Sequence, residues 1–475
     1  MDKPQTTNNE GYDKAVCWLY DRIDYERIRP SGQCNPFRLE RIQQLLERID
    51  SPHLRIPAVH IAGTKGKGST AAMTDSILRS AGLNVGLFTS PHIVRFEERM
   101  RVNGAMPNPA QLVELVDRVR LVLEEFDHSG RSSLGVPTFF EITTLLAWMF
   151  FDNQQVDIVV LETGLGGRLD CTNVCSPLVT IITSIGLDHT HILGNTVALI
   201  AAEKAGIIKP SVPVVQGKLP PEADQVVRDT AFSRNSERLR LGTDFDFSNV
   251  VDSELGQSFR FSTDRNCSEF TQLPALQIPL VGQHQVANAS LAVQACLLLC
   301  RDKRFSILPS AIAEGLRSTF WPLRFEQLQY SGHTLIVDAA HNPDSIEAFL
   351  RCLECRGVPF EERILIFAAS ADKDAAAMLK LLVPHFKQII LTRFVGNPRS
   401  IPPRELMEKV IPLNASGKPY EEIHVSPAEN PDVAIKLALQ SGSEGMTICV
   451  TGSLFLAAEV RTMLCGGQSP FAVFP

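Results

Sequence analysis

Residues 58–70, AVHIAGTKGKGST, constrain this chain more than any other stretch. Val59 and Ile61 spell a short apolar strand, Gly63, Gly66 and Gly68 a turn without side chains, and a helix begins near Ser69. Such a turn directs successive backbone N–H groups inward as a nest for an anion, and the helix adds its positive end. Lys67 stands among the glycines as a point charge. In the common phosphate-loop pattern lysine directly precedes Ser or Thr, whereas here Gly68 intervenes between Lys67 and Ser69. From these residues alone a phosphate-binding turn and an ordinary strand-to-helix turn both stand open.

The flanking pattern predicts an α/β sheet around this turn. Residues 11–51 read as helical, with Leu39, Ile42, Leu45, Leu46 and Ile49 at helix spacing before a stop at Ser51-Pro52. Met73, Ile77, Leu78 and Ala81 stripe a helix ending at Gly82, and residues 84–89 form a second strand leading into Ser90-Pro91-His92. This βαβ unit implies a parallel sheet with the turn at a strand's carboxyl end, where open α/β sheets bind ligands. The charged text of residues 90–104, SPHIVRFEERMRVNG, reads as an ordered loop across a site mouth. Residues 111–126 form an amphipathic helix, and 138–151 a buried one opened by a Thr138–Glu141 capping box.

Strands at 156–162 and 178–184 follow, separated by a loop holding Gly164, Gly166 and Gly167 that suits close approach of a ligand. Glu162, at a strand's carboxyl end, reads either as a metal-holding acid beside the phosphate turn or as a carboxylate facing solvent. Lys204 closes a helix over 195–206 and by itself reads as a charge on the helix dipole. Residues 210–280 read as peripheral β structure without assignable chemistry, and 282–285 cap a helix from 286 to 299 that carries Asn288.

At 475 residues the chain is too long for one compact core. We expect an N-terminal domain over 1–320 and a C-terminal one over 321–475, divided near Trp321-Pro322. Beyond the break, strands at 334–337, 364–367, 388–391, 422–425 and 446–450 alternate with helices, the first ending in Asp338. The fold class is therefore α/β: a P-loop-type, mostly parallel sheet domain followed by a smaller Rossmann-like α/β domain. A net charge of −7 gives no footing for nucleic acid or a membrane surface. No apolar run approaches the roughly 20 residues of a spanning helix. The polar N-terminus lacks the apolar core of a signal peptide, so a cytoplasmic protein is expected. The eleven cysteines, with only Cys352 and Cys355 in a C-x-x-C, read as small buried thiols.

The motifs GTKGKGS at 63–69, TSPH at 89–92, LETGLGGRLDCTN at 161–173 and SIGLDHT at 184–190 are followed by EKAGI at 203–207, GQHQVAN at 282–288, RFE at 324–326 and DAAHNP at 338–343. Together, in this order, they resemble the folylpolyglutamate synthase/dihydrofolate synthase family of the Mur ligase superfamily, over residues 15–465. The resemblance implies a monomeric, ATP-dependent ligase that joins L-glutamate to dihydropteroate and to tetrahydrofolates through an acyl phosphate. It implies ATP contacts at Thr64, Lys65, Gly66, Lys67, Gly68 and Ser69, and at Asn288, Arg324 and Asp338. Two Mg²⁺ ions would sit at Ser90, Glu162, His189 and Lys204, the last as a CO₂-derived carbamate, with His341 a further catalytic group beside Lys67. Dihydropteroate would meet Thr138, Phe139, Phe140, Glu141, Leu169, Asp170 and Cys171; for Phe139 and Phe140, plain core packing is an equal alternative. A third dihydropteroate stretch, Cys34-Asn35-Pro36-Phe37, departs from the family wording, as do Lys65 for asparagine and Leu323 for glycine. The alternatives are a monofunctional folylpolyglutamate synthase, a peptidoglycan-type Mur ligase, against which the absence of an obvious N-terminal nucleotide-sugar domain speaks, or a non-catalytic nucleotide-gated binding protein. Retention of Glu162, His189 and Lys204 together speaks against the last.

Overall fold

A computed structural model describes residues 10–22, 38–128, 134–264, 273–414, 423–441 and 445–471, with only the backbone of 127–128 and 411–414. The expected Cys34–Phe37 contact lies outside these residues.

The first sheet joins β1 (Ala58–Ala62), β2 (Val85–Phe88), β3 (Met100–Val102), β4 (Ile158–Glu162), β5 (Pro177–Ile182), β6 (Val214–Gln216) and β7 (Arg238–Arg240). Their order is β3-β2-β4-β1-β5-β6-β7, parallel throughout except for β3 on β2. The strand β1 is buried at every residue because both faces are covered, which is why its text is apolar rather than alternating. One face carries the helices Lys67–Ser80, Gln283–Leu299 and Pro309–Arg317; the other carries Phe139–Asn153, Pro109–His128 and Leu39–Glu47. The Thr138–Glu141 capping box forms as expected. β1 lies between β4 and β5, with Ile61 level with both Glu162 and Ile181. The loops leaving these three strands therefore emerge side by side.

Several expectations are corrected. The striped helix, Leu39–Glu47, ends before Ser51-Pro52 as expected, but Pro52 also starts the short helix Pro52–Arg55, since proline fits a first helical position. The charged 90–104 stretch is, over residues 90–95, the expected loop at the cavity, with Ser90, Pro91 and His92 lining it, but Phe96–Arg99 is a 3₁₀ turn and the edge strand β3 follows. Its charges are buried because they are locally used: Glu98 accepts the N–H groups of Ile93, Val94 and Arg95. Residues 210–280 are not wholly peripheral, since β6 and β7 extend the main sheet. The meander of β8 (Phe245–Ser253), β9 (Gly256–Thr263) and β10 (Leu276–Ile278) packs Phe245 and Phe259 into the same core.

The second sheet joins β11 (Glu326–Tyr330), β12 (His333–Val337), β13 (Arg363–Phe367), β14 (Gln388–Leu391), β15 (His424–Pro427) and β16 (Thr447–Thr451). The order is β11-β12-β16-β13-β14-β15. The polar edge strand β11, antiparallel to β12, was not expected, so the strand ending at Asp338 is the domain's second. Helices cover both faces, among them Pro343–Cys355, whose Cys352 is buried while Cys355 is exposed. No described helix is long and apolar enough to cross a membrane.

The connection between the sheets is under backbone strain. Leu323 and Phe325 adopt φ of 59° and 52°, a left-handed conformation that disfavours branched and bulky side chains. Phe325 N–H is held by Asp338 Oδ2 at 2.7 Å, and Leu323 O by Ala339 N–H at 3.0 Å. The Leu323 side chain is fully buried, which offsets a conformational cost of about 1–2 kcal/mol. This pinned segment aims Arg324 back at the first domain.

Candidate active site between the two domains

The helix after β1 starts at Lys67, earlier than expected, with Gly66 as its N-cap at φ +84°. A Cβ on Gly66 would lie 2.4 Å from Asn288 Oδ1, and one on Gly68 would lie 2.8 Å from the Trp321 ring. These glycines thus let the turn pack against the 282–288 motif and the inter-sheet connection. The turn is lashed to the end of β5: Thr64 N–H donates to Ser184 O at 2.7 Å, and Lys65 N–H to Ser184 Oγ at 2.9 Å. From below, Lys204 Nζ donates to Gly63 O at 2.9 Å. The first-turn amides of Lys67, Gly68 and Ser69 have no partners within the helix, the arrangement that suits a nest for an anion. Lys65 lines the same space as the rest of the turn, with its Nζ 3.0 Å from Asp344 Oδ2 of the second domain.

Glu162 closes the nest on the β4 side. Its Oε1 lies 3.9 Å from Lys67 Nζ, and its Oε2 accepts Ser90 N–H at 3.3 Å. Burial raises its carboxyl pKa, against Lys67, the Ser90 N–H and Arg324, which favour the anion. His189, in the loop after β5, is pushed to about 4 by burial, with Asp188 opposing. It is therefore a neutral imidazole near pH 7, able to donate a lone pair. Asp188 is held well below the usual carboxylate range: burial opposes this, but Lys373 and His189 outweigh it. Lys204 is driven down to about 7 by burial, with Lys67 adding to the shift. The bland reading of Lys204 as a helix-dipole charge is overturned, since the side chain is buried under the turn. Among the described residues no three His, Cys, Asp or Glu side chains gather to hold a metal. The Glu162 carboxylate is the kind of oxygen ligand a hard cation takes, whereas the His189 nitrogen is an unusual one.

The second domain supplies the facing wall. Asp338 is engaged at both oxygens, by the N–H of Phe325 at 2.7 Å and of Ala340 at 2.8 Å. Burial raises its pKa while Arg324 opposes. His341 Nδ1 lies 2.9 Å from Ala339 O, a pure acceptor, so Nδ1 carries the proton and Nε2 keeps its lone pair. Burial lowers this imidazole to about 4, so it too is neutral.

These groups line one cavity of about 1370 Å³ between the sheets. It reaches from the turn and Asn288 on one side to Ser90, Glu162 and His189, and across to Arg324, Asp338 and His341. Thr138, Phe140, Glu141, Leu169, Asp170 and Cys171 line it as well, as do Lys218, Leu241 and Phe247 from the stretch read as lacking chemistry. Phe139 is not brought there: it is fully buried, stacked on Tyr20 at 5.9 Å and edge-on to Phe96. The core alternative holds for Phe139, because successive helix positions diverge and only Phe140 turns to the cavity. The expected pterin carboxylates are already engaged. Glu141 binds Arg41 through both oxygens, at 2.7 and 2.6 Å, and also accepts Thr138 N–H. Asp170 accepts the N–H of Leu165 and Thr172, shaping its own loop. Burial lifts the Cys171 thiol far above its usual range. Nothing in the sequence pattern marks Arg41 or Lys373, and Asp188 lay unremarked inside the SIGLDHT motif.

The comparisons with known proteins agree with this geometry. Residues 61–296 match the Mur ligase middle domain, and 323–454 match the Mur ligase, glutamate ligase domain. Folylpolyglutamate synthase of Lacticaseibacillus casei is 34% identical over 96% of this chain and 100% of its own length. Dihydrofolate synthase/folylpolyglutamate synthase of Bacillus subtilis is 35% identical, over 95% and 99%. A solved FPGS–AMPPCP–folate complex superposes with a TM-score of 0.77 at 31% identity, covering 95% of this chain and 99% of that one. With similarity running end to end through both domains, the chain belongs to the folylpolyglutamate synthase/dihydrofolate synthase family of Mur-type ligases, enzymes that join an acid to an amino acid through a C–N bond.

Proposed function

We propose that this chain uses ATP to add L-glutamate to dihydropteroate and to tetrahydrofolates through an acyl phosphate, as a cytoplasmic monomer divided at residues 320 and 321. The observation that carries this reading is the cavity: a phosphate nest and Glu162 on one wall face Arg324, Asp338 and His341 on the other. The AMPPCP and folate named for the solved relative support both ligand classes.

In this reading Gly66, Lys67, Gly68 and Ser69 hold the phosphates, with Thr64 and Asn288 shaping the turn. Lys67 and Arg324 carry the charge of the transferring group, which moves from ATP to the substrate carboxylate. The glutamate amine then attacks the carbonyl and phosphate leaves. The unprotonated Nε2 of His341 suits removal of a proton from that amine. Ser90, Glu162, His189 and a carbamylated Lys204 would hold Mg²⁺, which supplies charge neutralisation for the phosphates. A neutral amine is what captures CO₂, and the low pKa of Lys204 keeps that form populated near pH 7. Closure of two domains excludes water, which would otherwise hydrolyse the acyl phosphate.

A second reading, polyglutamylation alone, is favoured by one observation: Glu141 and Asp170 are spent on internal partners and Phe139 lies in the core. The deciding assay is ATP- and glutamate-dependent turnover with dihydropteroate and, separately, tetrahydrofolate. Turnover with both supports the bifunctional enzyme. Tetrahydrofolate alone leaves the second reading, and turnover with neither refutes the ligase.

A further inference from the structure

Two ion pairs cross the cavity outside the chemistry described above. Lys65 Nζ lies 3.0 Å from Asp344 Oδ2, in the first turn of the helix Pro343–Cys355. Lys373, in the loop after β13, donates to Asp188 Oδ1 at 3.0 Å, beside His189. The polarity alternates: the first domain supplies the cation of one pair and the anion of the other. Any docking that exchanged partners would set lysine against lysine and carboxylate against carboxylate, which is repulsive. Each tie ends next to a group of the reacting centre. Lys65 is two residues before Lys67, Asp344 three after His341, and Asp188 precedes His189.

The pairs differ in exposure. Asp344 is 79% exposed, whereas Lys373 and Asp188 are 18% and 14% exposed. Solvent screening leaves the first pair weak and the second stronger. Lys65 has a further peculiarity. A lysine inside a phosphate turn would be expected to face the nest, yet this one crosses to the other domain.

We propose that Lys65 and Lys373 are positioning residues that set the docking of the two domains across the cavity, Lys65 through Asp344 and Lys373 through Asp188. Lys65 then acts on this docking, not as a phosphate ligand. The catalytic consequence rests on the ATP-dependent ligation proposed above; the ties themselves do not.

The test uses the full chain as Lys65→Asn, Asp344→Asn, the double variant, Lys373→Met and Lys373→Arg. Small-angle scattering with and without AMPPCP reads domain docking, calorimetry reads AMPPCP affinity, and steady-state assays at low and high salt read kcat and KM. Lys65→Asn and Asp344→Asn should each lower kcat by about two- to fivefold. The double variant should be no worse than either single, because both remove one interaction. AMPPCP affinity should stay within about twofold, since no phosphate contact is lost. Lys373→Met should lower kcat by about tenfold and enlarge the scattering dimensions, with Lys373→Arg restoring most of both. High salt should shrink the Lys65 effect first. The proposal is overturned if Lys65→Asn weakens AMPPCP binding tenfold while Asp344→Asn does not, if the two effects add, or if Lys373→Met leaves docking and kcat unchanged. Scattering and calorimetry need no turnover, so they decide the ties even if the ligase reading fails.

Discussion

Lys204→Met tests how the phosphate turn is supported from below. Lys204 is 4% exposed and donates to Gly63 O at 2.9 Å, and burial lowers its pKa to about 7. In the unfolded chain the amine titrates near ~10.4. Between about pH 7 and 10 the unfolded chain therefore holds a proton that the folded chain has released. The cost of folding around this amine is full below pH 7, shrinks as pH rises, and vanishes above about pH 10.5. Wild type should thus gain on Lys204→Met by about 1.4 kcal/mol per pH unit across roughly pH 7.5–9.5. The lost bond to Gly63 O costs the variant about 1 kcal/mol at every pH, so it shifts the two curves without changing the slope between them. Urea unfolding followed by tryptophan fluorescence reads the domain concerned, because Trp18, Trp148 and Trp321 all pack on the cores of the first sheet. At a pH near 8, bicarbonate should stabilise wild type and leave Lys204→Met unmoved, since ligation of CO₂ to the folded amine acts by mass action. Turnover of Lys204→Ala should collapse and return in part with acetate. Parallel pH profiles for wild type and Lys204→Met would refute the depressed amine, and full activity of Lys204→Ala without a carboxylate would remove the carbamate.

Lys67→Ala should abolish turnover and AMPPCP binding with the fold retained, because its side chain faces Glu162 and the nest rather than the core; an active variant contradicts the phosphate role. Phe139→Leu should cost about 1–2 kcal/mol in thermal or urea unfolding without moving the acceptor KM. Phe140→Leu, altering a ring that lines the cavity beside Gly164, should raise that KM with a smaller stability loss. The opposite pattern would reverse their assignments. Arg41→Met should destabilise by about 3–5 kcal/mol by stranding the buried Glu141 carboxylate, and adding Glu141→Gln should recover part of the loss. Additive losses would show that the pair does not act as a unit.

Much of the site was legible because its residues follow local rules. The strand-glycine-helix text at 58–70 and the apolar strand ending in Glu162 each declare a carboxyl-end position within a short window, and the parallel order brings those ends together. The Thr138–Glu141 capping box is likewise a short-range hydrogen-bonding pattern. Less legible were elements whose polarity hides their pairing. β11 is an edge strand that carries polar residues where a central strand is apolar, and β3 is three residues with the charge of Arg101 at its centre. β6 and β7 are three-residue strands, too short to show a period.

By itself, the order of motifs determined the two-sheet α/β class, the glycine turn after β1 and the family, since each depends on neighbours along the chain. Only the tertiary structure decided which side chains remain available. It placed Phe139 in the core and Phe140 at the cavity, and spent Glu141 on Arg41 and Asp170 on its own loop. It buried Lys204 beneath Gly63, and set Lys65 against Asp344 of the second domain. Each of these outcomes depends on a partner or a packing surface far away in sequence, such as Arg41 for Glu141 or Asp344 for Lys65. A carboxylate or ammonium group has no fixed role until burial and its nearest charge are known.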